Sequence, residues 1–177
     1  GQITGKPVHQ LLGGNGTKQV PVYDGSIYFA DLLPDQAARW KDRVREEIDM
    51  GFKAGHKAFK VKVGRGSKWM ERKAGDVRDI EVLRTIRNHA GRDVLIGIDA
   101  NNGYDLAGAK RLLGEVGDLN LAFAEEMFPE TVEHCLKFKA FLRDNDIHID
   151  NYRIFDVPRY LRVSPRAELS QAIRHPP

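Results

Sequence analysis

Cysteine is nearly missing from this sequence. Cys135 stands alone, which excludes a disulfide within the chain and suits a reducing cytoplasm. Long apolar runs are missing too: none approaches the ~20 residues a membrane span needs. No stretch has the pattern of a secretory leader. Nor is there a large excess of one charge. The formal net charge is +3, and residues 151–177 hold five Lys/Arg against two Asp/Glu, so residues 1–150 balance. Mixed signs along helices make a solvated surface, not a stripe that tracks phosphates. We therefore expect a cytoplasmic protein with neither nucleic acid nor membrane as partner.

The 177 residues are 41% hydrophobic and 30% charged, enough for a globular domain with a core. Residues 1–18, with Gly5-Lys6-Pro7 and Leu11-Leu12-Gly13-Gly14, read as a loop or the end of something larger that precedes Gly1. Val20–Tyr23 and Ser26–Ala30 are strand-like runs around Asp24-Gly25. From Pro34-Asp35, apolar positions Ala37, Trp40, Val44 and Ile48 recur at helical steps, and Gly51 and Gly55 end that stretch. Ala58–Val63 alternates, with Phe59, Val61 and Val63 on one face and Lys60 and Lys62 on the other. Asp76 is expected to cap a helix that runs to Gly91. Val94–Ile98 is a continuous apolar run, as in a strand buried on both sides, and it stops at Asp99-Ala100-Asn101. Asp105 caps the next helix. Leu121–Ala124 is a short strand that ends in Glu125-Glu126, Thr131 begins another helix, and Ile147–Asp150 could start one more strand. Strands and helices alternate with no hairpin signal, which implies parallel strands joined by right-handed crossovers. No GxGxxG follows a strand, which disfavours a dinucleotide-binding sheet.

Three successive strand candidates thus end in charge: Lys60 and Lys62, then Asp99, then Glu125-Glu126. In parallel α/β folds the carboxyl ends of the strands lie together, and sites are built there. Carboxylates without sulfur or imidazole favour a hard cation such as Mg2+. A lysine beside Mg2+ suits abstraction of a proton next to a substrate carboxylate. Two ammonium groups on one enclosed face would lower each other's pKa toward the range of a general base. Each part has a blander reading: edge-strand lysines, a turn capped by Asp99, a solvated Glu126. The basic loop Gly64–Lys68 could hold an anion, but it lacks P-loop spacing. A basic binding module built on that loop and the arginine-bearing tail is the less favoured function.

Lys60-Val61-Lys62, Ile98-Asp99-Ala100-Asn101 and Glu125-Glu126 resemble the motifs of the enolase superfamily, in its mandelate racemase/muconate lactonizing enzyme group. Lys6–Gly14, Gly64 and Asn102-Gly103-Tyr104 fit the same family. The resemblance covers roughly residues 5–145. It implies a (β/α)8-type barrel, of which this chain would hold the first four to five βα units, with residues 1–18 closing a capping-domain segment, 19–150 the partial barrel and 151–177 a divergent basic tail. It implies Lys62 as the base, Lys60 as its modulator, Asp99 and Glu125 as Mg2+ ligands, and Asn101 and Glu126 as supports of the metal or substrate. The alternation alone leaves Glu125 and Glu126 open, and the family pattern selects Glu125. A small-molecule carboxylate is the expected substrate and acid-sugar dehydration the favoured reaction, with racemisation as the other member of the class. The family's third ligand, usually in a Gly-Glu pair, has no counterpart beyond Asp150 in a non-matching context. The chain is therefore expected to be a piece of such an enzyme, with a weak metal site, little or no catalysis of its own and a tendency to form homo-oligomers. A catalytically inactive remnant or association module is the alternative.

Overall fold

The computed structural model describes residues 2–14, 21–149 and 151–153. Five strands are present: β1 (Asp24–Ile27), β2 (Ala58–Lys62), β3 (Leu95–Asp99), β4 (Phe123–Glu125) and β5 (Asn151–Arg153). A short exposed helix, α1 (Val8–Leu11), precedes them. Four longer helices fill the connections: α2 (Trp40–Lys53), α3 (Arg72–Ala90), α4 (Leu106–Val116) and α5 (Val132–Asp144). All neighbouring strands are parallel, and their order in the sheet is their order in the chain.

That order decides the architecture. A doubly wound sheet reverses direction at a switch point and carries helices on both faces. Here every crossover steps the same way, so right-handed connections put all four helices on one side. The other face is left for the interior of a barrel, and the five strands are a partial (β/α) barrel.

The outward strand residues Phe59, Val61, Ile96, Ile98 and Ala124 are buried against the apolar sides of the helices. Ile48 of α2, Ile86 of α3, Leu113 of α4 and Phe138 of α5 are fully enclosed in this layer. Burial of such side chains is worth roughly 1.5–3 kcal/mol each. It explains why the helical spacing in the sequence locates the four helices.

The caps agree in two cases of three. Asp105 accepts from Gly108 N at 2.6 Å, and Thr131 Oγ1 accepts from His134 N at 3.1 Å. The third helix starts earlier than Asp76, because Glu71 performs the capping with its longer side chain, accepting from Ala74 N at 3.0 Å. Bonds from the Ala74 and Lys73 amides hold the Glu71 carboxyl below its usual range. Asp76 instead lies inside α3 with Oδ1 buried and unpartnered. Three further boundaries move. Asp24-Gly25 lies within β1 and not between two strands. The helix expected from Pro34 begins at Trp40, after a 3-10 turn at Ala37–Arg39, and continues through Gly51. Residues 147–149 form no strand, and Asp150, the doubtful third ligand, falls outside the described residues. So do 154–177, which hold most of the tail.

Candidate active site

The sheet register sets the site. Lys62, Asp99 and Glu125 are lateral neighbours on β2, β3 and β4, each the last residue of its strand. Two residues back along the strands, Lys60, Gly97 and Phe123 form the next row on the same face. The upper row is charged and buried: Lys62 is 5% exposed, Asp99 2% and Glu125 4%.

The lower row explains Gly97. A Cβ there would lie 2.1–2.4 Å from the ring atoms of Phe123, so only glycine lets that ring cross the strand. Phe123 packs on Tyr23 with centroids 5.5 Å apart, and Lys60 Nζ lies 5.7 Å from the Tyr23 ring. An aromatic floor therefore underlies the charges and keeps their surroundings dry on one side.

Both lysines reach the same carboxylate. Lys60 Nζ donates to Asp99 Oδ2 at 2.9 Å and to Glu125 Oε2 at 3.3 Å. Lys62 Nζ donates to Asp99 Oδ2 at 2.5 Å and to Asn101 Oδ1. Asp99 Oδ1 accepts from the Asn101 backbone at 3.0 Å. The second glutamate joins through Asn101, whose Nδ2 donates to Glu126 Oε2 at 2.8 Å.

For Lys60 this corrects the expectation that the lysines depress each other's pKa. Burial does pull the Lys60 ammonium down, but the hydrogen bond and charge of Asp99, then Glu125, outweigh it and raise the group above its ordinary value. The partners across the sheet matter more than the like charge along the strand. Asp99 shows the reciprocal effect. Burial alone would raise its carboxyl, and the bonds from Lys60 and Lys62 bring it below the usual carboxylate range.

The donor set bears on a metal. Asp99 and Glu125 present two buried carboxylates from adjacent strand ends, with no sulfur or imidazole beside them, which suits a hard cation. Ammonium groups now supply the countercharge at these oxygens. Among the described residues no cluster of three or more Asp, Glu, His or Cys completes a ligand set. The chain thus offers two carboxylates whose chemistry fits a hard cation such as Mg2+.

Two features were not read from the sequence. Tyr28, after β1, places its ring 5.4 Å from Lys62 Nζ. Arg65, read as part of a basic loop, has a fully buried guanidinium paired with Asp31 and Asp79, so it does not face an outside anion. No helix among the described residues is long and apolar enough to cross a membrane.

Known proteins resemble this chain in sequence and fold. A family profile described as enolase C-terminal domain-like matches residues 43–164. The arabinonate dehydratase of Saccharolobus solfataricus is 34% identical over 126 residues, 71% of this chain and 30% of that enzyme. The galacturonate dehydratase from Geobacillus sp., solved with D-galacturonate and 5-keto-4-deoxy-D-galacturonate, superposes with a TM-score of 0.72 at 36% identity. It matches 89% of this chain and 42% of its own. A mandelate racemase/muconate lactonizing protein from Geobacillus sp. Y412MC10, solved with magnesium/tartrate, gives a TM-score of 0.74 at 36% identity over 89% of this chain and 43% of that one. The chain spans well under half the length of each of these relatives.

Proposed function

The chain belongs to the enolase superfamily, in its mandelate racemase/muconate lactonizing enzyme group, and on that premise we propose that its site removes the proton α to a carboxylate, with an acid sugar as substrate. One observation carries the reading: Lys62, Asp99 and Glu125 stand side by side, buried, at the carboxyl ends of three consecutive parallel strands.

Lys62 is the base. Its Nζ, once its ammonium proton has passed to solvent, takes the substrate's proton as the C–H bond breaks, and the electron pair moves into the substrate carboxylate. Asp99 and Glu125 are the residues that would hold Mg2+. When bound, that ion supplies positive charge opposite the charge developing on the substrate, usually the largest contribution to such a reaction. Lys60 sits one row behind, bonded to both carboxylates, and fixes them relative to Lys62. Asn101 orients Lys62 through its side-chain oxygen and is itself held by Glu126. Expulsion of a β-hydroxyl as water, carrying the proton that Lys62 took, then gives the dehydratase outcome, and delivery of a solvent proton to the other face, with Lys62 releasing the one it took, gives the racemase outcome. Dehydration is favoured because the arabinonate and galacturonate enzymes are both dehydratases.

The test is deuterium incorporation at the α-carbon of a panel of acid sugars, followed by proton NMR over hours with Mg2+ and with chelator. Slow exchange that needs Mg2+ and disappears in Lys62→Ala is expected. Exchange that persists in chelator or in Lys62→Ala would reject the reading, and exchange no faster than in buffer across the panel would leave the catalytically inactive remnant as the reading.

A further inference from the structure

The most enclosed charges among the described residues are not in the site. Arg65, Asp31 and Asp79 are 0–1% exposed, and Tyr104 is 3% exposed. Arg65 Nε and Nη2 donate to the two oxygens of Asp31 at 3.1 and 2.6 Å. Its Nη1 donates to Asp79 Oδ1 at 2.5 Å and to the carbonyl of Lys62 at 3.1 Å. Asp79 Oδ2 accepts from the backbone of Gly64 at 2.7 Å, from that of Arg65 at 3.1 Å and from the Tyr104 hydroxyl at 2.5 Å.

These groups come from different strand ends. Asp31 follows β1, Arg65 follows β2 and Tyr104 follows β3, while Asp79 lies on α3. Tyr104 N also donates to the Met127 carbonyl, beyond β4, at 3.2 Å. One buried cluster therefore ties together the carboxyl ends of four strands. The turns after β2 and β3 touch directly: a Cβ on Gly64 would meet the Ala100 carbonyl at 3.2 Å and Gly103 Cα at 3.3 Å. The Lys62 ammonium donates to Asn101 between the same two turns.

Stability alone is a poor reason for such a cluster. Taking several charges out of water costs much of what their pairing returns, and apolar replacements of similar volume are often as stable. Its distinctive product is geometry, since every bond named above fixes a loop that carries or abuts a site residue.

We propose that Arg65, Asp79 and Tyr104 are positioning residues for Lys62, holding the turn after β2 against the turn after β3 so that the base stays aligned with Asp99 and Asn101. This rests on the reading of Lys62 as the base. Tyr104→Phe removes one bond to Asp79 without changing charge or shape. Its amides at Gly64 and Arg65 should exchange with solvent at least about tenfold faster, and the Asn101 side-chain amide signals should shift, with little change in the denaturation midpoint. In the α-deuterium assay kcat should fall about tenfold at unchanged KM, as expected when a base is misaligned. If Tyr104→Phe does not unfold cooperatively, Asp31→Asn, which loosens Arg65 from the other side, is read the same way. A lowered midpoint with unshifted Asn101 signals would show a merely structural cluster and overturn the proposal. Absence of α-exchange in the parent would reject the reaction, while the amide measurements would still decide the positioning.

Discussion

Asp99 is the site residue whose loss should be felt most. It is 2% exposed and takes both ammonium groups on one oxygen. In Asp99→Asn, Lys60 keeps its longer bond to Glu125 at 3.3 Å, but Lys62 keeps only the neutral Asn101 oxygen. A buried ammonium is then left without a countercharge. Removing one member of a buried pair costs about 3–5 kcal/mol, a large part of the roughly 5–15 kcal/mol that holds a domain together. For a chain of this length the melting temperature should fall by about 6–20 °C.

The pH dependence separates this cause from a simple packing defect. The folded-state carboxyl of Asp99 is lowered, so its contribution is present above the unfolded value of about 3.9 and is lost as pH falls through the folded value. Lys60 is raised, so its contribution is complete below about 10.4 and is lost only at higher pH. The difference between parent and variant should therefore be flat from pH 5 to 9 and shrink below pH 4. Urea unfolding in chelator, at intervals from pH 3 to pH 9, measures it. A second variant completes the case: Lys62→Met added to Asp99→Asn removes the stranded charge and should recover at least half of the loss. A cost under about 1 kcal/mol at pH 7, or a cost unrelieved by Lys62→Met, would refute the account.

Three further outcomes follow from other parts of the molecule. Glu47 on α2 is 7% exposed with Oε2 unpartnered, and burial, opposed by Arg43, raises its carboxyl. Stability it lends below its unfolded value of about 4.3 is lost as pH rises through the folded value, so Glu47→Gln should stabilise by about 1 kcal/mol at pH 7 and by nothing near pH 3, as read by denaturant midpoints. Gly97→Ala drives a methyl into the Phe123 ring and should cost about 1–3 kcal/mol in thermal unfolding, partly restored by Phe123→Leu. Within the described residues β1 and β5 each pair on one side only, and Leu95 is 55% exposed on the inner face. Open strand edges favour association, so light scattering should show homo-oligomers, and a stable monomer across micromolar concentrations would count against this.

The strands β2, β3 and β4, the longer helices and the meeting of Lys60, Lys62, Asp99 and Glu125 were legible because each rests on a short-range pattern. Alternation puts Lys60 and Lys62 on one face, and the break from Ile98 to Asp99 marks a strand end. What was not legible depends on lateral register and distant partners. The Lys60 pKa was misread because the like charge two residues away is visible in sequence, whereas Asp99, 39 residues beyond Lys60, meets it only across the sheet. Arg65 was misread for the same reason. In a polar, glycine-bearing loop it looks solvated, and its partners lie 34 and 14 residues away.

Asn101 and Glu126 lie between these extremes. Both have φ of 44°, a left-handed conformation that asparagine tolerates and glutamate adopts rarely. The Asn101-Asn102-Gly103 run announces such a turn, and nothing in Glu125-Glu126 does. The explanation is across the sheet: Asn102 N donates to the Glu126 carbonyl at 2.6 Å, and Asn101 Nδ2 donates to its carboxylate at 2.8 Å. The turn after β3 thus holds the residue after β4 in a conformation it would not choose alone. The same contacts settle the Asn101 amide, since its nitrogen must face an acceptor and its oxygen must face Lys62. With that orientation fixed at both ends, the second glutamate of the pair reaches Lys62 without touching it, while the first is left beside Asp99.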